Sequence, residues 1–191
     1  FGTRAGEHAA HRARNLAPPP IDEDQVKAAI ATMLEPLERG EGENPGLIYD
    51  EMRDMMQAKV GIIRTKDELE EALEDLKAFR ARADACFPGT DRRYNSGWHQ
   101  ALDLVNMADI STVAALAALT REESRGGHTR DDFPVPDEDH WGQHLNIVWM
   151  EDGDIKIRQE RVEPIRQDLQ VALDEVKAMI KERAEQQGGG K

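Results

Sequence analysis

The sequence predicts a mainly α fold: an antiparallel three- to four-helix up-down bundle with a small β-hairpin appendage and an extra C-terminal helix. Three observations carry this reading. Apolar residues recur at helical spacing in successive segments, each bounded by a capping residue, a proline or a glycine. Aromatic residues make up only 5% of the 191 residues, whereas Ala, Leu, Glu and Arg are plentiful, a composition that favours helix over sheet. Short loops between helices of about 17 to 27 residues make neighbours antiparallel.

The elements follow in order. Residues 4 to 16 are rich in Ala and Arg and read as helix, which Pro18, Pro19 and Pro20 end because proline lacks an amide proton and restricts the residue before it. The chain opens Phe1-Gly2-Thr3-Arg4-Ala5-Gly6, without Met and already in a helical pattern, and reads as cut from something longer. Asp22 caps the next helix, with Val26, Ile30, Met33, Leu34 and Leu37 at helical spacing, and Gly40 and Gly42 stop it. Asn44-Pro45 starts a third, with Leu47, Ile48, Met52, Met55, Met56 and Val60 as its stripe. Thr65-Lys66-Asp67-Glu68 is a capping box. Leu69, Leu73, Leu76 and Phe79 then face one way, and Glu70, Glu71, Glu74 and Asp75 face water.

Pro88-Gly89 marks a loop. A long helix is expected from about Ser96 to about Glu122, with Trp98, Leu102, Val105, Ile110, Val113, Leu116 and Leu119 as its stripe. The Ala pairs at 114–115 and 117–118 allow close helix approach. Between 104 and 119 this helix is nearly apolar all round, which places it at the centre of the bundle. Residues 128 to 142 are polar with two prolines, hence loop. Alternation at Leu145, Ile147 and Trp149, the turn chemistry of Glu151-Asp152-Gly153-Asp154, and alternation at Ile155 and Ile157 predict a β-hairpin. A lone hairpin is marginal in water, so it is expected against the bundle or a partner. Glu163-Pro164 opens the last helix, with Leu169, Leu173, Val176 and Ile180 on one side, and the tail from Gln186 to Lys191 is expected to be flexible. The domain division is 1–17, an end helix; 18–125, the bundle; 126–162, loop and hairpin; and 163–191, the C-terminal helix and tail.

The formal net charge is −13, a field that repels nucleic acid and anionic lipid head groups. A local exception is Arg4, Arg12 and Arg14 with His8 and His11. The single cysteine, Cys86, excludes an internal disulfide and any multi-cysteine metal site. No uninterrupted apolar run reaches the roughly 18 residues of a bilayer span, so direct membrane insertion is not expected, and no signal-peptide pattern is present.

The densest polar cluster runs from Arg121 to Pro134. Arg125, His128 and Arg130 form a cationic patch, with Asp131 and Asp132 able to pair with it in bidentate geometry. This is either a clamp for a cofactor, a partner carboxylate or a domain interface, or a helix stop pinned by internal ion pairs; the second is the favoured reading. His140 and His144 are four apart without a third ligand, and read as hydrogen-bonded histidines rather than a metal site. Met52, Met55 and Met56 read as core, and Cys86 has no nearby His in sequence. No phosphate loop, nucleophile elbow or zinc-protease pattern occurs. No catalytic, cofactor-binding or metal residue is assigned, and chemistry complete within these residues is not expected.

Several stretches together resemble the C-terminal helical domain of the succinate dehydrogenase/fumarate reductase flavoprotein subunit family. Phe1 to Gly6 with Ala9-Ala10 looks like the helix that closes the family's FAD domain. Val60-Gly61-Ile62-Ile63-Arg64-Thr65, with Leu69 and Leu73, is similar to the helical domain shared with L-aspartate oxidase. Glu123-Ser124-Arg125-Gly126-Gly127-His128-Thr129-Arg130-Asp131-Asp132-Phe133-Pro134 looks like the family's Glu-Ser-Arg-Gly-x-His-x-Arg-x-Asp-Phe-Pro stretch. The resemblance implies a parent oxidoreductase of electron transport and the tricarboxylic acid cycle that passes hydride between succinate or fumarate and FAD. The family's flavin-linked histidine, catalytic arginine and dicarboxylate-binding residues lie upstream, so none transfers here. It implies an upstream FAD domain and an iron–sulfur subunit as partners. It also implies a location in the cytoplasm or peripheral on the cytoplasmic membrane face through partner subunits. Arg125, His128, Arg130 and Asp132 are the interface-anchoring candidates. Arg130 favours this family over L-aspartate oxidase, which usually lacks the arginine; the rival of another class is a free-standing helical interaction module. Typical subunits of the family end soon after the hairpin, and the helix from Pro164 to Glu185 departs from that pattern.

Overall fold

The computed structural model describes the backbone of residues 1–188 and the side chains through residue 180. The fold is mainly α, as expected, with six helices and two two-stranded sheets among the described residues. In chain order these are α1 (Gly2–Arg14), α2 (Glu23–Glu38), α3 (Pro45–Lys59), β1 (Ile63–Arg64), α4 (Lys66–Ala85), α5 (Ser96–Thr120), β2 (Thr129–Arg130), β3 (His144–Glu151), β4 (Asp154–Arg161) and α6 (Gln167–Gly188). Two compact units divide them, Phe1–Ala58 with Glu74–Ser111, and Lys59–Leu73 with the chain from Thr112 onward.

In the first unit the caps sit where the sequence puts them. Asp22 Oδ1 accepts from the Asp24 and Gln25 amides at 3.0 and 3.1 Å, and Asn44 Oδ1 accepts from the Gly46 amide at 2.7 Å. Such side chains satisfy the amide protons that a helix start leaves free. The core gathers Leu37, Ile48, Met52, Leu76, Phe79, Ala83, Cys86, Ala101, Leu104 and Ala108. Two arginines of α4 tie it to its neighbours: Arg82 pairs with Glu43 and with Glu51 of α3, and Arg80 pairs with Asp109 of α5. Trp98 Nε1 donates to the Met33 carbonyl at 2.6 Å, joining α5 to α2. Helix α1 has no buried residue within this chain.

Gly42 is the tightest backbone position here. Its φ is +154°, and a Cβ would lie 2.5 Å from the Ala85 carbonyl oxygen and 2.9 Å from Phe87 Cβ. The Phe87 amide donates to the Glu43 carbonyl at 2.9 Å, which holds the two strands of chain at this spacing. Gly42→Ala is expected to cost about 1–3 kcal/mol through strain and displacement, measurable as a lowered midpoint in urea unfolding; an unchanged midpoint would contradict the contact.

The second unit holds the capping box. Glu68 Oε2 accepts from the Thr65 amide at 3.0 Å, and Thr65 Oγ1 accepts from the Glu68 amide at 3.3 Å. Strands β1 and β2, which the sequence did not reveal, pair in parallel with Ile63 opposite Thr129 and Arg64 opposite Arg130. The hairpin β3–β4 has its expected turn, and its strands are longer than expected, with His144 opposite Arg161 and Glu151 opposite Asp154. Asp152 and Gly153 take φ of +53° and +85°, the two left-handed positions that match the right-handed strand twist. Asn146 Nδ2 donates to the Ala117 carbonyl at 3.1 Å, so the hairpin lies against the end of α5. Helix α6 leaves Leu169, Leu173, Val176 and Ile180 exposed. It continues through Gln186 to Gly188, where a flexible tail was expected; Gly189, Gly190 and Lys191 lie outside the described residues.

Helix α5 corrects the expected stripe. Its buried residues are Ala101, Leu104, Ala108, Ala115 and Ala118, not the large residues of the expected stripe, and Ile110 is 69% exposed. Close approach of a helix backbone selects small side chains, so hydropathy alone picks the wrong neighbours. By length and composition α5 is also apolar enough to cross a membrane. Asp103 and Asp109 interrupt its apolar run. Asp109 is paired with Arg80.

Candidate functional site

All four anchoring candidates lie just past the C-terminus of α5, in the second unit. A helix end leaves carbonyl oxygens without intrahelical donors. Arg130, 1% exposed, supplies them: Nη1 donates to the carbonyls of Ala118, Leu119 and Arg121 at 3.0, 2.9 and 3.2 Å. Its Nε and Nη2 donate to Asp132 Oδ1 and Oδ2 at 2.8 and 2.7 Å, a bidentate pair. Asp132 Oδ2 also accepts from the Lys66 amide at the start of α4, at 3.1 Å. The cation thus meets the negative end of α5 and the carboxylate the positive end of α4, the favourable sense at both. Hydrogen bonding from Arg130 holds the Asp132 carboxyl below its ordinary range against the opposing effect of burial. Phe133 lies under the Arg130 guanidinium, 5.0 Å from its ring centroid.

Glu123 is the second buried charge, fully removed from solvent. Oε1 accepts from Arg121 Nε at 2.8 Å and Arg125 Nε at 2.9 Å, and Oε2 from Arg125 Nη2 at 3.0 Å and the Asp137 amide at 2.8 Å. Burial pushes its pKa up, but Arg125, the Asp137 amide and Arg121 stabilise the ionised form more strongly, and the pKa is lowered to about 2. Arg121 also donates to the Trp141 carbonyl at 2.8 Å and lies 5.3 Å from the Trp141 ring centroid. Arg125 reaches Glu138 at 3.1 Å.

Ser124 Oγ accepts from the Arg130 amide at 2.8 Å and donates to the Phe133 carbonyl at 2.9 Å. Between them Gly126-Gly127 makes a two-residue turn, closed by Arg125 and His128 exchanging backbone bonds at 2.8 and 3.1 Å. Gly126 takes φ +61° there, the left-handed region that glycine adopts freely. His128 Nε2 lies 3.2 Å from the Arg121 carbonyl and Nδ1 lies 2.7 Å from Arg64 Nη1. A carbonyl only accepts and a guanidinium only donates, so Nε2 carries the proton and the ring is neutral. Burial lowers the His128 pKa, and the nearby arginines lower it further.

His140 and His144 stack with ring centroids 4.6 Å apart. His144 Nδ1 donates to the His140 carbonyl at 2.7 Å, and His140 Nε2 lies 3.0 Å from Gln159 Oε1. They are hydrogen-bonded histidines. Met52 and Cys86 are buried. The sequence reading missed three members of the cluster, Arg64, Glu123 as its hub, and the Asp137 amide. A hint for Arg64 was its place immediately before the capping box.

Arg121 and Arg125 share the Glu123 carboxylate, and Arg130 pairs with Asp132. Such an arrangement fixes the backbone. It has the chemistry of a strut.

The family model and the curated relatives name one family. The profile described as fumarate reductase flavoprotein C-term matches residues 49–184, taking in most of α6. The chain is 33% identical over 142 residues to the succinate dehydrogenase flavoprotein subunit of Coxiella burnetii, covering 74% of this chain and 24% of that protein. It is 32% identical over 165 residues to the fumarate reductase flavoprotein subunit of Mycobacterium tuberculosis, covering 82% and 28%. Its structure resembles a chain of the Mycobacterium smegmatis Sdh1 complex in the apo form, with a TM-score of 0.78 and 39% identity over 88% of this chain and 30% of that one. The chain spans about a quarter of the length of these curated relatives.

Proposed function

We propose, for a chain that belongs to the fumarate reductase flavoprotein C-terminal family, that it is the helical domain of a flavoprotein subunit interconverting succinate and fumarate. In this reading it packs on an FAD domain of the same polypeptide and helps seat an iron–sulfur subunit. The assembly meets the cytoplasmic face of a membrane through its other subunits. The observation that carries the reading is the loop from Arg121 to Asp137, whose buried charges satisfy one another. It is built as a rigid support. Arg130 holds it from inside, Arg125 and His128 are half-buried, and Asp132 stands at the surface.

FAD would supply hydride transfer in the parent, but these residues do not fit it. Among the described residues no glycine-rich loop precedes a helix in the manner of a dinucleotide site. The loop arginines that could meet a pyrophosphate are already paired. The domain's contribution is therefore positional, because a misplacement of about 1 Å remote from the reacting atoms is enough to slow a hydride transfer.

The test is the full-length gene product, purified and examined for flavin absorbance and succinate-dependent reduction of an artificial acceptor. Both are expected, and a protein without flavin would overturn the reading. Residues 1–191 alone are expected to give no heat with FAD in isothermal titration; tight binding would contradict the assignment of the cofactor to another domain.

A further inference from the structure

Among the arginines of the second unit that the sequence ties to the loop, Arg64 differs from the other three. It is half-buried. Its Nε donates to the Gly61 carbonyl at 2.6 Å and Nη1 to His128 Nδ1 at 2.7 Å, and both acceptors are neutral. Among the described residues no carboxylate lies within ion-pair distance of it, and Nη2 has no partner. Burial lowers its pKa with no neighbouring charge to offset the effect. Two carboxylates of the same unit are committed elsewhere: Asp132 to Arg130 and the Lys66 amide, Glu68 to Thr65. A desolvated cation is costly unless it is paired, and this one sits in a chain of formal charge −13.

The surroundings say what kind of surface would pair it. Ile62, just before β1, and Ile63, beside Arg64 in β1, are 71% and 61% exposed. Two open isoleucines beside a partly desolvated guanidinium form an apolar patch with a single point of positive charge, the make-up of the core of a protein interface. His128 holds the guanidinium from behind in its neutral form, so the orientation of Arg64 is set before a partner arrives.

We propose that Ile62, Ile63 and Arg64 form a docking point for an Asp or Glu carboxylate, set among apolar side chains, on the flavin-binding part of the same subunit. The proposal rests on the functional reading above. The same-subunit source follows from length: the chain spans 24% to 30% of the flavoprotein chains it resembles, so most of the surface available to it belongs to the rest of that polypeptide.

A zero-length cross-link tests this in the full-length subunit. Arg64→Lys keeps the charge and introduces an amine, which a carbodiimide joins only to a carboxylate in direct contact. Peptide mapping is expected to show a new amide between position 64 and an Asp or Glu of the flavin-binding part, absent from the unsubstituted protein. Absence of a cross-link overturns the proposal, as does one confined to Asp131, Asp132 or Glu68, to an iron–sulfur subunit or to a second copy. As a second arm, Arg64→Gln is expected to speed proteolytic release of the helical domain from the full-length subunit about tenfold, whereas an unchanged rate counts against the contact. Flavin content separates the two levels. A full-length protein without flavin fails the functional reading itself, and a flavin-loaded protein without the cross-link fails only this inference.

Discussion

Replacing Arg130 by methionine is expected to destabilise the chain by about 3–5 kcal/mol, the cost of removing one partner of a buried charge pair. Methionine fills much of the same volume, so the loss reports hydrogen bonds rather than a cavity. The Ala118 and Leu119 carbonyls lose this donor, the Arg121 carbonyl keeps only His128 Nε2, and Asp132 keeps a charge that no longer faces a cation. Arg130→Lys is expected to recover less than half of the loss, because one ammonium group cannot reach three carbonyls and a bidentate carboxylate together. Urea unfolding followed by helical circular dichroism measures both. The double variant Arg130→Met with Asp132→Asn should be less destabilised than the sum of the single changes, because it leaves no unpaired charge. Strict additivity would mean that the pair is not coupled.

That experiment bears on how far the sequence could be read. Local signals were legible. Asp22, Asn44, the Thr65–Glu68 box and the Asp152-Gly153 turn each work within a few residues, and each was placed correctly. The cluster Arg125, His128, Arg130 and Asp132 was visible for the same reason. Its division of labour was not, because that depends on partners far away in sequence. Arg64 meets His128 across 64 residues, and Asp132 meets the Lys66 amide across 66. A parallel pair of two-residue strands carries no alternation to detect. In α5 the misreading has a different origin. Hydropathy marks Ile110 and Val113, but helix contact depends on how near the backbones come, and that favours Ala108, Ala115 and Ala118.

Acid is expected to unpick the same loop through Glu123. Its pKa in the folded chain is about 2, against an ordinary value of 4.5. A carboxyl with a depressed folded pKa contributes stability that is complete above 4.5 and is lost as the pH falls from 4.5 through about 2. The gap corresponds to about 3 kcal/mol. Asp132 and Glu43 are lowered as well and add losses of the same sign. His128, held neutral below its ordinary 6.5, also favours the folded chain less as the medium becomes acidic, but that loss begins at a higher pH. These contributions are common to the unsubstituted protein and to Glu123→Gln, so the difference between the two isolates Glu123. At neutral pH the variant should be less stable by about 3 kcal/mol, since Arg121 and Arg125 lose their charge partner in a buried setting. With acidification the unsubstituted protein should lose stability more steeply, and the two curves should converge toward pH 2. Parallel curves across that window would show that Glu123 is not the ionised hub of the loop, and that the geometry around Asp137 and Arg125 is maintained by something other than charge.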